Sequence, residues 1–92
     1  MTLLQVVAKL GSFDAEETIY AAEPWTPHSL AVVAVEPIQG GLPAEAEALG
    51  AAYFLEVDIA RGVLSDLARE RASAVSASEQ CDRIIDYAIN DA

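Results

Sequence analysis

Two stretches near the ends of the chain repeat their apolar residues at helical spacing. They are "TLLQVVAKLG" (2–11) and "SASEQCDRIIDYAINDA" (76–92). Each begins with two polar residues spaced as a capping box, in which each side chain bonds the other residue's backbone N–H: Thr2 with Gln5, and Ser76 with Glu79. Gly11 fits the C-terminal stop of the first helix. We therefore predict a helix at each end, the second with a one-sided apolar stripe that includes Cys81.

Between these helices, β-branched and aromatic residues predict three strands. The segments are "TIYAA" (18–22), "LAVVAV" (30–35) and "AYFLEVD" (52–58). The unbroken apolar run of the second suits a central strand covered on both faces, or a strand covered on one face with alanines on the other. The third alternates, and its residues divide into two faces: Tyr53, Leu55 and Val57 against Phe54, Glu56 and Asp58.

Two further helices complete the pattern. "LPAEAEALG" (42–50) predicts a short helix, with proline at its first position and glycine at its stop. Asp58 is placed to cap a longer helix, "IARGVLSDLARERA" (59–72). Gly62 lies inside this helix, where glycine costs about 1 kcal/mol against alanine. We therefore expect another backbone to come close to Gly62.

The predicted order of elements is α-β-β-(α)-β-α-α. Helical stripes and short strands of this kind bury their apolar residues in an α+β fold. We predict a single domain over residues 1–92, with a small three-stranded, mainly antiparallel sheet and helices packed on one face. The first two strands are expected to pair through the proline-rich loop between them.

The charge of the chain narrows its possible partners. Fifteen acids face five bases, for a formal net charge of −10, and nine of the acids lie in residues 1–60 beside one base, Lys9. Binding to nucleic acid or to an anionic membrane requires lysine and arginine, so we expect neither. A surplus of carboxylates instead attracts a basic protein partner.

The single cysteine also limits the possible chemistry. Cys81 alone cannot form an intramolecular disulfide or a multi-cysteine zinc site. The first residues lack the basic and long apolar regions of a signal peptide, and no window reaches the ~20 apolar residues of a membrane span. These features predict a soluble cytoplasmic protein without a bound metal or cofactor.

The stretch "AEPWTPHS" (22–29) concentrates the rare residues of the chain. It holds the only tryptophan, Trp25, and the only histidine, His28, with Glu23 and two prolines. The prolines stiffen the loop, so Trp25 is either a rigid anchor for a protein partner or a large apolar residue folded over the core. We expect His28 to be an exposed loop residue, because no nucleophile is placed to work with it.

Glu56 and Asp58 form the other candidate site. On one face of a strand they would lie roughly 6–7 Å apart, which suits acid–base work or a hard cation. The simpler interpretation is that Asp58 caps a helix and that Glu56 pairs with an arginine such as Arg61 or lies in water. Glu56 would share a face with Phe54, and a half-buried acid at this position would be the stronger candidate for function.

Three stretches carry a resemblance to known proteins: "IYAAEPW" (19–25), "YFLEVDIAR" (53–61) and "YAINDA" (87–92). They are similar to an uncharacterised group of short acidic bacterial proteins. The resemblance implies a bacterial, cytosolic origin, and no activity or functional residue comes with it.

Two functions from different classes fit these observations. The favoured one is a non-enzymatic protein-binding module, immunity-, antitoxin- or mimic-like by charge and size, that binds a basic protein with Glu23, Trp25, Glu56 and Asp58. The alternative is a small homo-oligomeric enzyme or ligand-binding protein. Its site would lie between subunits and use Glu56, Asp58, His28 or Tyr53.

Overall fold

The computed structural model shows a three-stranded antiparallel sheet. It describes residues 1–71 and 73–91, and Ala72 and Ala92, each the last residue of a predicted helix, lie outside the described residues. The strands are β1 (Thr18–Ala21), β2 (Ala31–Ala34) and β3 (Ala52–Glu56), in the order β2-β1-β3.

Four α-helices accompany the sheet: α1 (Leu3–Ala8), α2 (Ala44–Leu49), α3 (Val57–Glu70) and α4 (Ala77–Asn90). A 3₁₀ turn, Leu10–Ser12, follows α1. The predicted order of elements and the α+β class are therefore confirmed.

Of the two arrangements expected for the second strand, the central position is wrong. β1 lies in the middle of the sheet and β2 at its edge. The side chains of β2 are instead covered on both faces of the strand, because α1 and α2 both pack against it. Side chains on the faces of a strand can be buried while one backbone edge stays unpaired, and an apolar run cannot distinguish these arrangements.

The helix caps are partly as predicted. The Thr2–Gln5 capping box is present, with backbone-to-side-chain bonds of 2.8 and 3.2 Å. Helix α1 ends at Ala8, with Lys9 and not Gly11 as its C-cap, because the chain tightens into the 3₁₀ turn. At α4, Ser76 accepts a bond from the Glu79 N–H, which is one half of a capping box.

The main core lies on one face of the sheet, beneath α1, α3 and α4. Its members are apolar and almost fully buried, and they include Leu3, Val6, Ile19, Phe54, Leu55, Val63, Cys81 and Ile84. The short helix α2 lies against the opposite face, where Ala46 packs with Tyr20 and Ala51. The sheet therefore has one deeply covered face and one that a six-residue helix covers only in part.

An irregularity in β3 breaks the predicted alternation. Ile19 pairs with Leu55, but the next residue, Tyr20, pairs with Tyr53, so Phe54 has no partner of its own. Such a bulge changes which face the following residues present. As a result Phe54 and Leu55 are both buried. Glu56 is exposed, which agrees with the expectation that it lies in water.

The junction of β3 and α3 also differs from the prediction. The helix begins at Val57, and Glu56 occupies the N-cap position without a side-chain cap bond. Asp58 lies in the first helical turn, where its charge favours the helix dipole, and is not the cap. Gly62 has no atom within 4 Å of the position of an added Cβ, so no backbone approaches it.

Candidate functional site

The four residues predicted to bind a partner lie at two ends of the sheet. Glu23 and Trp25 belong to the loop that joins β1 to β2, beyond Ala21. Glu56 pairs with Thr18 at the other end of β1, and Asp58 follows it in α3. The two pairs are thus separated by the length of the central strand, and they do not form one compact site.

Trp25 closes one end of the main core. Its Nε1–H donates to the Ala21 carbonyl oxygen at 3.1 Å, and its ring meets the Phe54 ring edge-to-face at a centroid distance of 4.9 Å. The loop is braced by Ser29, whose hydroxyl donates to the Pro24 carbonyl oxygen and accepts from the Thr26 N–H. The indole therefore has a structural role, and its predicted role in partner binding remains a prediction.

The remaining candidates from the sequence are separated in space. His28 is exposed in the same loop, at the opposite end of the sheet from Glu56 and Asp58. Cys81 is fully buried, and burial, with a smaller contribution from Asp82, raises the pKa of its thiol to about 11. In residues 1–71 and 73–91, no group of three or more histidine, cysteine or acidic side chains is placed to hold a metal ion.

The partly covered side of the sheet presents two tyrosines. Side chains alternate along β1, so Thr18 and Tyr20 point away from the main core, together with their partners on the neighbouring strands. We call this side the tyrosine face: Thr18, Tyr20, Val32, Ala34, Tyr53 and Glu56. The rings of Tyr20 and Tyr53 meet edge-to-face, with centroids 6.4 Å apart. Tyr20 is buried, whereas Tyr53 is 43% exposed and therefore accessible to a partner.

Two carboxylates lie close to these tyrosines. Burial, followed by the charges of Glu56 and Glu36, raises the pKa of the Tyr53 hydroxyl above its ordinary value. Burial and the charge of Glu36 likewise raise the pKa of Tyr20. Glu36 follows β2 and Glu56 ends β3, so acids from both edge strands meet at the tyrosine face. The site therefore has a negative potential around an exposed aromatic ring.

Helix α2 adds apolar and acidic groups on the same side of the sheet. Its Glu45, Glu47 and Leu49 are exposed. Within the described part of the chain, five of the eight exposed large apolar side chains lie between β2 and the start of β3: Val35, Ile38, Leu42, Leu49 and Tyr53. Exposed apolar groups in such a concentration are typical of interaction surfaces.

The part of the sequence that forms this surface contains no lysine or arginine. Residues 10–60 contain nine acids and neither basic residue. None of these nine acids makes an ion pair with a residue that the structure describes. The charges of the sheet and of α2 are therefore uncompensated.

The arginines all belong to the helical half of the molecule. The Arg61 Nη2 donates to the carbonyl oxygens of Leu10, Gly11 and Phe13. The suggested pairing of Arg61 with Glu56 is therefore not formed. The other three arginines form ion pairs on α3, α4 and the segment between them: Arg69 with Asp66, Arg71 with Glu79, and Arg83 with Glu70.

The sequence analysis missed Glu36 and Tyr20 as members of the site. Glu36 follows an apolar run and precedes a proline. This pattern indicates only the end of a strand. Its closeness to Tyr53 depends on the two edge strands flanking β1. The absence of lysine and arginine from residues 10–60 was the one signal in the sequence that pointed to this surface.

Comparisons with protein-family models, with curated proteins and with solved structures find no match to this chain. Among the described helices, none combines the length and the apolar character needed to cross a membrane. The function is therefore argued from the geometry and charge of the tyrosine face.

Proposed function

We propose that this protein is a small non-enzymatic binding module that docks a basic protein partner on the tyrosine face. The observation that supports this proposal is the segregation of charge: residues 10–60 hold nine acids without a lysine or arginine. Tyr53 is exposed, and the charges of Glu56 and Glu36 both act on its hydroxyl. Tyrosine is a frequent anchor at protein interfaces, because its ring brings apolar area and its hydroxyl a hydrogen bond.

Glu45 and Glu47 lie in the first turn of α2, where the helix dipole favours acids, but the acids of this surface also repel one another. Their mutual repulsion opposes the compact state, and no described cation offsets it. A basic partner removes this repulsion on binding and approaches faster along the negative field. Of the four residues predicted to bind a partner, Glu56 belongs to the tyrosine face, whereas Glu23, Trp25 and Asp58 lie outside it.

A bacterial cytoplasmic setting is part of the same proposal. It is supported by the resemblance in "IYAAEPW" (19–25) and by the single free thiol of Cys81, which is typical of reducing compartments. In such a setting an acidic module of this size would act as bacterial immunity proteins and antitoxins do, by covering a cationic surface of its partner.

Capture from a bacterial lysate tests the proposal. The immobilised protein is exposed to lysate at about 0.05 M and about 0.5 M NaCl, where the Debye length falls from roughly 14 to 4 Å. We expect a basic protein to be retained at low salt and lost at high salt. The double variant Glu36→Gln/Glu56→Gln should weaken this purified complex by about three- to tenfold, since each exposed charge contributes up to about 1 kcal/mol.

A matched control removes the same amount of charge from a different part of the protein. Asp82→Asn/Asp86→Asn removes two exposed acids from α4, away from the tyrosine face. This control should bind nearly as the original protein does. A partner retained equally at both salt concentrations, an acidic partner, or equal weakening by both double variants would contradict the proposal.

A further inference from the structure

The outer edge of β2 carries backbone groups without partners. The Ala22 N–H donates to the Leu30 carbonyl oxygen at 2.9 Å, so Leu30 and every second residue after it bond to β1. The residues between them therefore direct their N–H and C=O groups outward: Ala31, Val33 and Val35. The Ala31 N–H donates to the Met1 carbonyl oxygen at 2.7 Å. The outward groups of Val33 and Val35 have no hydrogen-bond partner among the residues described.

The chain already begins an additional strand at this edge. Thr2 forms an antiparallel bridge with Leu30, after which the chain turns into α1 at Leu3. Met1 consequently occupies the place opposite Ala31. The geometry of the edge is thus suitable for another strand, and no described residue bonds the edge at Val33 or Val35.

The exposed part of the edge is short, and it carries none of the charges, prolines or bulges that protect many edge strands. Residues 31–35 read "AVVAV", without lysine, proline or another charge. The only register shift in the described ladders lies between β1 and β3. Natural edge strands usually carry a charge, a proline or a bulge, because an open apolar edge pairs with other chains. An unprotected edge next to a proposed docking surface indicates that pairing is its role.

We propose that the basic partner adds an extended segment to β2 as a further strand, bonded to Val33 and Val35. This inference rests on the proposed function and specifies how the partner is held. Backbone bonds would supply the attachment, and the carboxylate of Glu36 directly after the edge would select basic side chains on the added strand. Strand addition of this kind needs only a short segment. The free part of the β2 edge is also short, since Met1 occupies one end of it and Pro37 follows the other.

A second copy of this chain is a poor occupant of the edge. Symmetric antiparallel pairing about Val33 would place Val35 of that copy opposite Ala31, where Met1 already lies. Each copy also has a formal charge of −10, so the two copies repel each other. A basic segment from another protein avoids both obstacles.

Two synthetic peptides serve as probes: one of alternating lysine and valine, and one of alternating glutamate and valine. Binding is followed by fluorescence anisotropy, and amide hydrogen exchange is measured by NMR. We expect the lysine peptide to bind and to slow exchange at Val33 and Val35 by about tenfold or more, because bonded amides are protected. The Ala31 amide, already bonded to Met1, serves as the internal control. The glutamate peptide should do neither.

Two variants close the edge in different ways. Val33→Pro removes an outward N–H and leaves the bonds of the neighbouring residues to β1 in place. In the second variant, a few valine and threonine residues are added before Met1, so that the chain continues along β2 and fills the edge itself. Circular dichroism checks that both fold. Each should weaken lysine-peptide binding by about tenfold or more.

The outcomes separate this inference from the proposed function. Lysine-peptide binding without protection of Val33 and Val35, or binding that persists in the extended variant, overturns strand addition and leaves docking on the tyrosine face. Equal protection by the glutamate peptide keeps strand addition and contradicts the preference for a basic partner. If neither peptide binds, strand addition is wrong, while capture at two salt concentrations still decides the proposed function.

Discussion

Replacement of Trp25 tests whether this residue belongs to the core. Its ring meets Phe54 edge-to-face, and its N–H bonds the Ala21 carbonyl oxygen at 3.1 Å. In Trp25→Ala both interactions are lost, and one end of the main core is opened. In Trp25→Phe an aromatic ring remains against Phe54, but the carbonyl oxygen of Ala21 loses its donor.

The magnitude follows from area and hydrogen bonding. A tryptophan buries about 150–250 Å². Because Trp25 is partly buried, we take about 150 Å² at about 25 cal/mol per Å², or close to 4 kcal/mol. Residual burial in the unfolded chain lowers this to about 3 kcal/mol. The ring pair and the hydrogen bond each add up to about 1 kcal/mol. We expect a loss of about 4 kcal/mol for Trp25→Ala and about 1–1.5 kcal/mol for Trp25→Phe.

Urea unfolding followed by far-ultraviolet circular dichroism measures these losses, because the substitutions remove the only tryptophan fluorescence. His28→Ala is the matched control, since His28 lies in the same loop and is exposed. It should change the free energy of unfolding by less than about 0.5 kcal/mol. A Trp25→Ala variant as stable as the original protein would refute this structural role and favour a pure partner anchor.

Three further substitutions test the packing around the sheet. Arg61→Ala should lower the free energy of unfolding by about 2 kcal/mol in urea denaturation, because a charged donor to three carbonyl oxygens is lost. Tyr20→Phe should change the free energy of unfolding by less than about 1 kcal/mol, since the buried Tyr20 hydroxyl interacts with Thr18 only outside normal hydrogen-bond geometry; a larger loss would contradict this. For Cys81, whose pKa rises from 9.0 to about 11, the folded state holds the thiol proton longer. Stability should therefore fall as the pH rises from about 9 to about 11, and Cys81→Ala should flatten that part of the curve.

Local signals in the sequence account for most of the fold. The Thr2–Gln5 pair defines the start of α1, because a capping box depends only on residues three positions apart. The buried stripe of α4, with Cys81 and Ile84, follows directly from helical spacing. The hairpin of β1 and β2 is implied by two short apolar runs around a proline-rich loop. Each of these features is decided by neighbours along the chain.

The errors arise where pairing between strands decides the structure. Alternation along β3 places Phe54 and Glu56 on one face, but the bulge opposite β1 turns Phe54 into the main core. The same shift lets α3 begin at Val57, which puts Asp58 inside the helix. Glu36 follows one edge strand and Tyr53 belongs to the other. These strands are far apart in sequence, and the folded sheet brings the charge of Glu36 to act on Tyr53. Such contacts have no counterpart in local spacing.

The distribution of arginines links the fold to the proposed function. Arg61 holds the turn after α1 against α3, and Arg83 pairs with Glu70 across the last two helices. Each described arginine thus has a partner within the helical half, and the ion pairs are exposed enough to contribute little to stability individually. Residues 10–60, which include the sheet and α2, by contrast hold nine acids and no lysine or arginine. Because this arrangement opposes folding, it supports our proposal that a basic partner supplies the missing positive charge.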